Sequence, residues 1–214
     1  MTPDAAAPDR PLQALPLFPL GTVLFPDGVL ALKVFEARYL DLIGACLREG
    51  RDFGVVTLIQ GGEVRGAGSG AEGVRFEAVG CLARIAECDA DQPGILQVRC
   101  HGGRRFELDG ASQQADGLWV AARATLIAAD APAAPLPDHA GSVAALQRAV
   151  VALDERGDAP FKHPLRYDDA GWVANRWCEI LPIPLATRHK LMALADPVIR
   201  LALVDGFLRR HRII

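Results

Sequence analysis

Gly68-Ser69-Gly70-Ala71-Glu72-Gly73 carries the glycine spacing that lets a pyrophosphate approach a helix N-terminus. That chemistry needs a strand before the glycines and a helix after them. Here the strand-like run Val74-Arg75-Phe76-Glu77 follows instead, so a flexible loop is expected. The three lysines, Lys33, Lys162 and Lys190, do not sit in a Walker A pattern. The three serines, Ser69, Ser112 and Ser142, do not form a G-x-S-x-G elbow, which would hold a nucleophile on a strained strand-to-helix turn. Cys100 and His101 are adjacent, but neighbours in a strand point to opposite faces and cannot act on one another as nucleophile and base. Cys46, Cys81, Cys88, Cys100 and Cys178 lack C-x-x-C spacing, so a zinc site would need a tertiary coincidence of Cys81, Cys88, Cys100 and His101. Asp168-Asp169 sits where a helix begins and is read as an N-cap, not a carboxylate dyad. Arg209-Arg210-His211-Arg212 sits where a helix ends and complements its dipole. This inventory points to no catalytic residue, metal ligand or cofactor site.

The aromatic residues carry more. Phe25 precedes the turn Pro26-Asp27-Gly28 and is read either as a surface tip or, like most large aromatics, as core; Trp172 and Trp177 share a predicted helix, where one can face the core and the other the domain junction. Leu15–Gly21 is short, apolar and broken by Pro16 and Pro19, which suits an edge strand or a strand entry. Val29–Phe35 reads as a strand. Tyr39, Leu42, Ile43, Cys46 and Leu47 then fall at helical spacing, and Gly50 would end that helix. Strand-like runs follow at 53–60, 74–87, 94–101, 104–108 and 118–127, with Gly102-Gly103 read as a hairpin turn. Residues 130–137, Asp-Ala-Pro-Ala-Ala-Pro-Leu-Pro, form a stiff composition break. Beyond it the period is helical, over 139–155, 168–180, 185–194 and from Asp196-Pro197 onward. The division is therefore a loose tail 1–11, a β domain 12–129, a linker 130–137 and a helical subdomain 138–214.

The whole composition narrows the function classes. At 214 residues with 50% hydrophobic and 23% charged side chains, the chain has enough apolar matter for a sizeable core. A net charge of −3 provides no overall basic field for a polyphosphate backbone. No run approaches the roughly 18 apolar residues of a membrane span, and no signal peptide pattern opens the chain. Five scattered cysteines suit a reducing cytoplasm.

Leu15-Pro16-Leu17-Phe18-Pro19-Leu20-Gly21-Thr22-Val23-Leu24-Phe25-Pro26, followed by Leu30-Ala31-Leu32-Lys33-Val34-Phe35-Glu36-Ala37-Arg38-Tyr39, resembles the N-terminal domain family of Lon proteases in a stand-alone form. Phe53-Gly54-Val55-Val56, Val79–Ile85, Gly102–Phe106 and Leu181-Pro182-Ile183-Pro184 fit the same family in order. The resemblance implies an α+β fold, a PUA-like β pseudo-barrel with one early helix, followed by a C-terminal helical bundle. It also implies a non-catalytic module that recognises unfolded or partly folded polypeptides, or a partner protein, without the ATPase and protease domains. The expected contact region is the junction of sheet and helices, with Phe25, Pro26 and Trp172 as its residues and an apolar patch as its character. Two alternatives remain: RNA binding through a patch of Arg104, Arg105 and Arg123, and an enzyme acting on a small molecule.

Overall fold

The computed structural model describes residues 11–62, 73–158 and 160–214. The G-x-G-x-x-G segment falls outside them except for Gly73.

Seven strands form one mixed sheet among the described residues: β1 Leu12–Leu20, β2 Val29–Val34, β3 Phe53–Gln60, β4 Arg75–Gln92, β5 Ile95–Leu108, β6 Ser112–Gln113 and β7 Trp119–Leu126. Their order is β2-β5-β4-β3-β1-β7-β6. A further pairing of β5 with β7, Phe106 opposite Leu126 through Leu108 opposite Ala124, closes the ring β5-β4-β3-β1-β7. The result is a β pseudo-barrel, with β2 laid against the first half of β5. α1, Ala37–Glu49, plugs the open end near β2 with Tyr39, Leu42, Ile43 and Cys46 and stops at Gly50, whose φ of 62° closes the last turn. Four more helices follow: α2 Ala140–Asp154, α3 Ala170–Ile180, α4 Leu185–Ala193 and α5 Pro197–Arg210. α3 is the centre of this bundle, with every residue from Ala170 to Cys178 buried. The chain is thus α+β, a pseudo-barrel with one early helix and then a helical bundle.

The helix signals translate directly. The Asp169 carboxylate accepts from Trp172 N at the start of α3. Asp196 accepts from Val198 N and Ile199 N, with Pro197 in the first turn of α5. Two strand readings need revision. The run read as an edge strand or a strand entry is a strand with partners on both sides: β1 runs parallel to β3 and antiparallel to β7. Its prolines are tolerated because Pro16 precedes the first β3 pair and Pro19 follows the last β7 pair, so neither is flanked by strands on both sides. Gly102-Gly103 is not a turn either; β5 runs through it. The register steps from Cys81–Arg105 to Ala83–Gly102, a bulge that puts the extra residue in β5. The hairpin lies earlier, at Pro93-Gly94, where Gly94 has φ 75° and Gln92 pairs with Ile95.

The segment between β7 and α2 has no regular structure until the short 3-10 turn Pro137–His139, and Ala131, Pro132, Ala134, Leu136 and Pro137 are exposed. No helix among the described residues is long and apolar enough to cross a membrane.

Candidate binding clefts

The loop 21–28 joins β1 to β2 and decides where the barrel meets the helices. Its side chains alternate as in a strand: Leu24 enters the barrel core, while Val23 and Phe25 enter the helical core with Trp172, Trp177 and Phe161. Phe25 therefore takes the core position of the two readings and not the surface tip; its exposure is 0%. The cause is backbone geometry. Gly28 N donates to Phe25 O, Asp27 N donates to Gly102 O, and Gly102 N donates to Gly28 O, which lays the loop flat across the β5 bulge. A Cβ on residue 102 would lie 1.9 Å from Phe25 O, so only glycine lets the strands approach this closely. From the other side the Arg176 guanidinium, fully buried, donates to Pro26 O at 2.9 Å and to Asp27 O at 2.6 Å.

Trp172 is also buried, at 3%, and packs edge-on against Tyr167 and Phe161. Its position nonetheless reaches the junction. A cleft of about 300 Å³ opens there, and both Pro26 and Trp172 line it. The structure thus brings two of the three expected contact residues to one cleft and places the third, Phe25, beneath it.

The cleft is mixed in character, with apolar surface between several charged side chains. Its walls include Asp27, Arg104, Arg105, Asp130 and Arg166. Asp130 stands between two buried arginines, 2.6 Å from Arg105 and 2.6 Å from Arg200. Arg105 also donates to Met192 O and Leu194 O, and Arg200 to Asn175 Oδ1 and Leu191 O. Arg166 pairs with Asp27 across the mouth. Charged groups at this depth require partners, and these have them. Arg105, 3% exposed, is consequently unavailable to an RNA phosphate, which removes the middle member of the Arg104–Arg105–Arg123 patch. Glu179 lies on the other side of the loop, 3.0 Å from Arg176. Burial pushes its carboxyl up to about 7, against the opposing pull of Arg176 and Arg188.

Burial raises the pKa of every thiol above its ordinary value. Burial pushes Cys100 and Cys178 up to about 12 and Cys81 higher still, so all three stay protonated at neutral pH. Cys100 is buried and His101 is half-exposed, as opposite faces of β5 require. Among the described residues no group of three His, Cys, Asp or Glu side chains converges as a metal would need.

A second groove, of about 280 Å³, lies at the open end of the barrel and was not foreseen from the residues. It runs between Phe18 and Leu20 of β1 and the consecutive residues Ala31–Glu36 along β2 and its exit, with Tyr39 at its floor. Tyr39 stacks on Phe18, ring centroids 3.8 Å apart and 7° from parallel. Glu36 pairs with Arg38 at 2.9 Å, and Arg38 donates to Gly117 O at 2.9 Å. The Phe35-Glu36-x-Arg38-Tyr39 pattern was the available signal: it builds the end wall of this groove.

The chain matches the family model described as the ATP-dependent protease La (LON) substrate-binding domain over residues 14–210. It is similar to the crystal structure of a Lon N-terminal domain protein from Xanthomonas campestris, at 30% identity and a TM-score of 0.72, over 91% of this chain and 98% of that one. It also shares its fold with the N-terminal domain of the Mycobacterium avium complex Lon protease, at 16% identity and a TM-score of 0.59, over 93% of this chain and 100% of that one. Among curated proteins no relative matches.

Proposed function

Because this chain belongs to the ATP-dependent protease La (LON) substrate-binding domain family, we propose that it is a non-catalytic module that holds unfolded or partly folded polypeptide in the cytoplasm. The observation that carries the reading is the family match, which runs almost from end to end of the chain. Three further features support it. Two partly open surface clefts, at the junction and at the open end of the barrel, give a ligand places to bind. The thiols are held protonated by burial, which suits a binding role better than a nucleophilic one. Four of the five free cysteines are buried, as in a reducing compartment. Pro26 and the edge of Trp172 are the contact residues proposed at the junction cleft, with Phe25 as the anchor that holds the loop beneath them.

The test uses a protein that has been reduced and carboxymethylated so that it cannot refold, labelled and titrated with this chain across a salt series. Preference for the unfolded form over its native counterpart, with affinity that survives added salt, is the expected result. Equal binding to both forms overturns the reading. Weak protein binding together with RNA binding that falls steeply with salt would assign the chain to the alternative class.

A further inference from the structure

The groove at the open end of the barrel is a gap in a sheet. Pairing of β1 with β7 stops at Leu17, so Phe18–Leu20 have only β3 beside them. β2 pairs with β5 alone, and its outer edge is unpaired among the described residues. The orientation of that edge can be worked out. Gly102 turns both its N–H and its C=O toward the loop leading into β2. In antiparallel pairing this alternates, so Cys100, Val98 and Leu96 also face β2 and bond Leu30, Leu32 and Val34. Ala31 and Lys33 then direct their N–H and C=O groups outward, along the groove. Their side chains are exposed, whereas Leu32 and Val34 face the barrel core.

We propose that this edge accepts one extended polypeptide segment by strand addition, its alternate apolar side chains entering the groove and an acidic side chain meeting Lys33; the proposal rests on the polypeptide-binding reading above. Outward amides and carbonyls two residues apart are satisfied in register only by another extended backbone. Side chains that lie on the same face as Leu32 and Val34 would pack on Phe18 and Leu20. Side chains on the opposite face would lie beside Lys33. Lys33 has no ion pair among the described residues, and the other charged wall residue, Glu36, is neutralised by Arg38. The rim is therefore cationic, which favours an apolar–acidic–apolar segment. It also disfavours a second copy of this chain, because an edge lysine would face an edge lysine.

The probe is a labelled nine-residue peptide alternating valine with threonine around a central glutamate. With the wild-type protein, N-methylation of one alternate set of peptide amides should weaken binding at least about tenfold, while the other set leaves it nearly unchanged. Lys33→Glu should reverse the preference between central glutamate and central lysine. Lys33→Pro removes an outward donor outside the β2–β5 ladder, and it should reduce binding of both the peptide and the unfolded protein while the thermal midpoint holds. Should that variant fold poorly, the N-methylated peptides on the wild-type chain decide the matter. Equal effects of both methylation sets overturn strand addition. So does full-strength binding of unfolded protein by folded Lys33→Pro, and in that case the polypeptide reading stands. A wild-type chain that binds no unfolded protein removes both. Concentration-dependent dimers abolished by Lys33→Pro would give the edge to a second copy and overturn the proposal.

Discussion

Phe25 reaches the helical core because residue 102 has no side chain. Gly102→Ala would drive a methyl group into Phe25 O, a backbone atom that can yield only if β5 or the loop moves. The expected loss is about 3 kcal/mol of folding stability, read from the urea midpoint. Phe25→Ala should cost roughly 3–5 kcal/mol of folding stability by the same measurement, since it empties a site of zero exposure. Retention of wild-type stability by both variants would contradict the buried placement. Glu179 gives this region a pH signature. In the folded chain its carboxyl titrates near 7, against an ordinary value of 4.5, so between those limits the folded state keeps a proton that the unfolded state releases. Stability from this group therefore falls as pH rises from about 4.5 to about 7. Glu179→Gln should remove that component, and the gap between variant and wild-type urea midpoints should change across this window and be flat above it. At Phe25 the residues left core and surface tip both open, because the adjoining Pro-Asp-Gly turn suggests exposure until the strand beneath it is known. The Asp169 cap was legible, because its partner is local.

Elements with a local period were readable, and those defined by distant partners were not. The helices from α1 to α5 follow apolar spacing and capping residues that act within a turn or two. β1 was legible as a strand but not as an inner one, because Pro16 and Pro19 argue for an edge or a strand entry, and only the staggered ends of the β3 and β7 pairings make them acceptable. β5 was split in two because Gly102-Gly103 resembles a hairpin, although the glycines serve a bulge and a close loop contact. The junction of the elements depends on charges that sequence cannot pair. Asp130 links Arg105 of β5 to Arg200 of α5, with both arginines almost fully buried. Asp130→Asn would leave two buried guanidiniums without their shared anion. The expected loss is about 3–5 kcal/mol, measured by chemical unfolding. A change below about 1 kcal/mol would mean that water, and not Asp130, neutralises these cations.

The barrel and the bundle meet over more than a linker. Val23 and Phe25 from the β1–β2 loop sit in the helical core, and Val79 of β4 packs against it. His189 of α4 hydrogen-bonds Val79 O at 3.0 Å, and Arg176 of α3 holds the loop carbonyls at Pro26 and Asp27. Composition alone divided the chain at 130–137, because proline and alanine replace both strand and helix periods there. Periodicity records where one kind of element stops; it carries no information about side chains that cross the boundary afterwards. The two parts are therefore expected to behave as one cooperative unit, with the connecting segment contributing little beyond Asp130 and Ala133. Ala133 O accepts from Ala170 N at 2.8 Å, whereas Pro132, Ala134 and Leu136 are exposed. A protease site inserted after Ala134 should thus be cleaved in the native state. After cleavage the two fragments should remain together on a sizing column and unfold in a single transition, with the midpoint lowered only by the higher chain entropy of two pieces. Separation of the fragments without denaturant, or two resolved transitions, would show instead that the junction is weaker than its buried arginines and shared core imply.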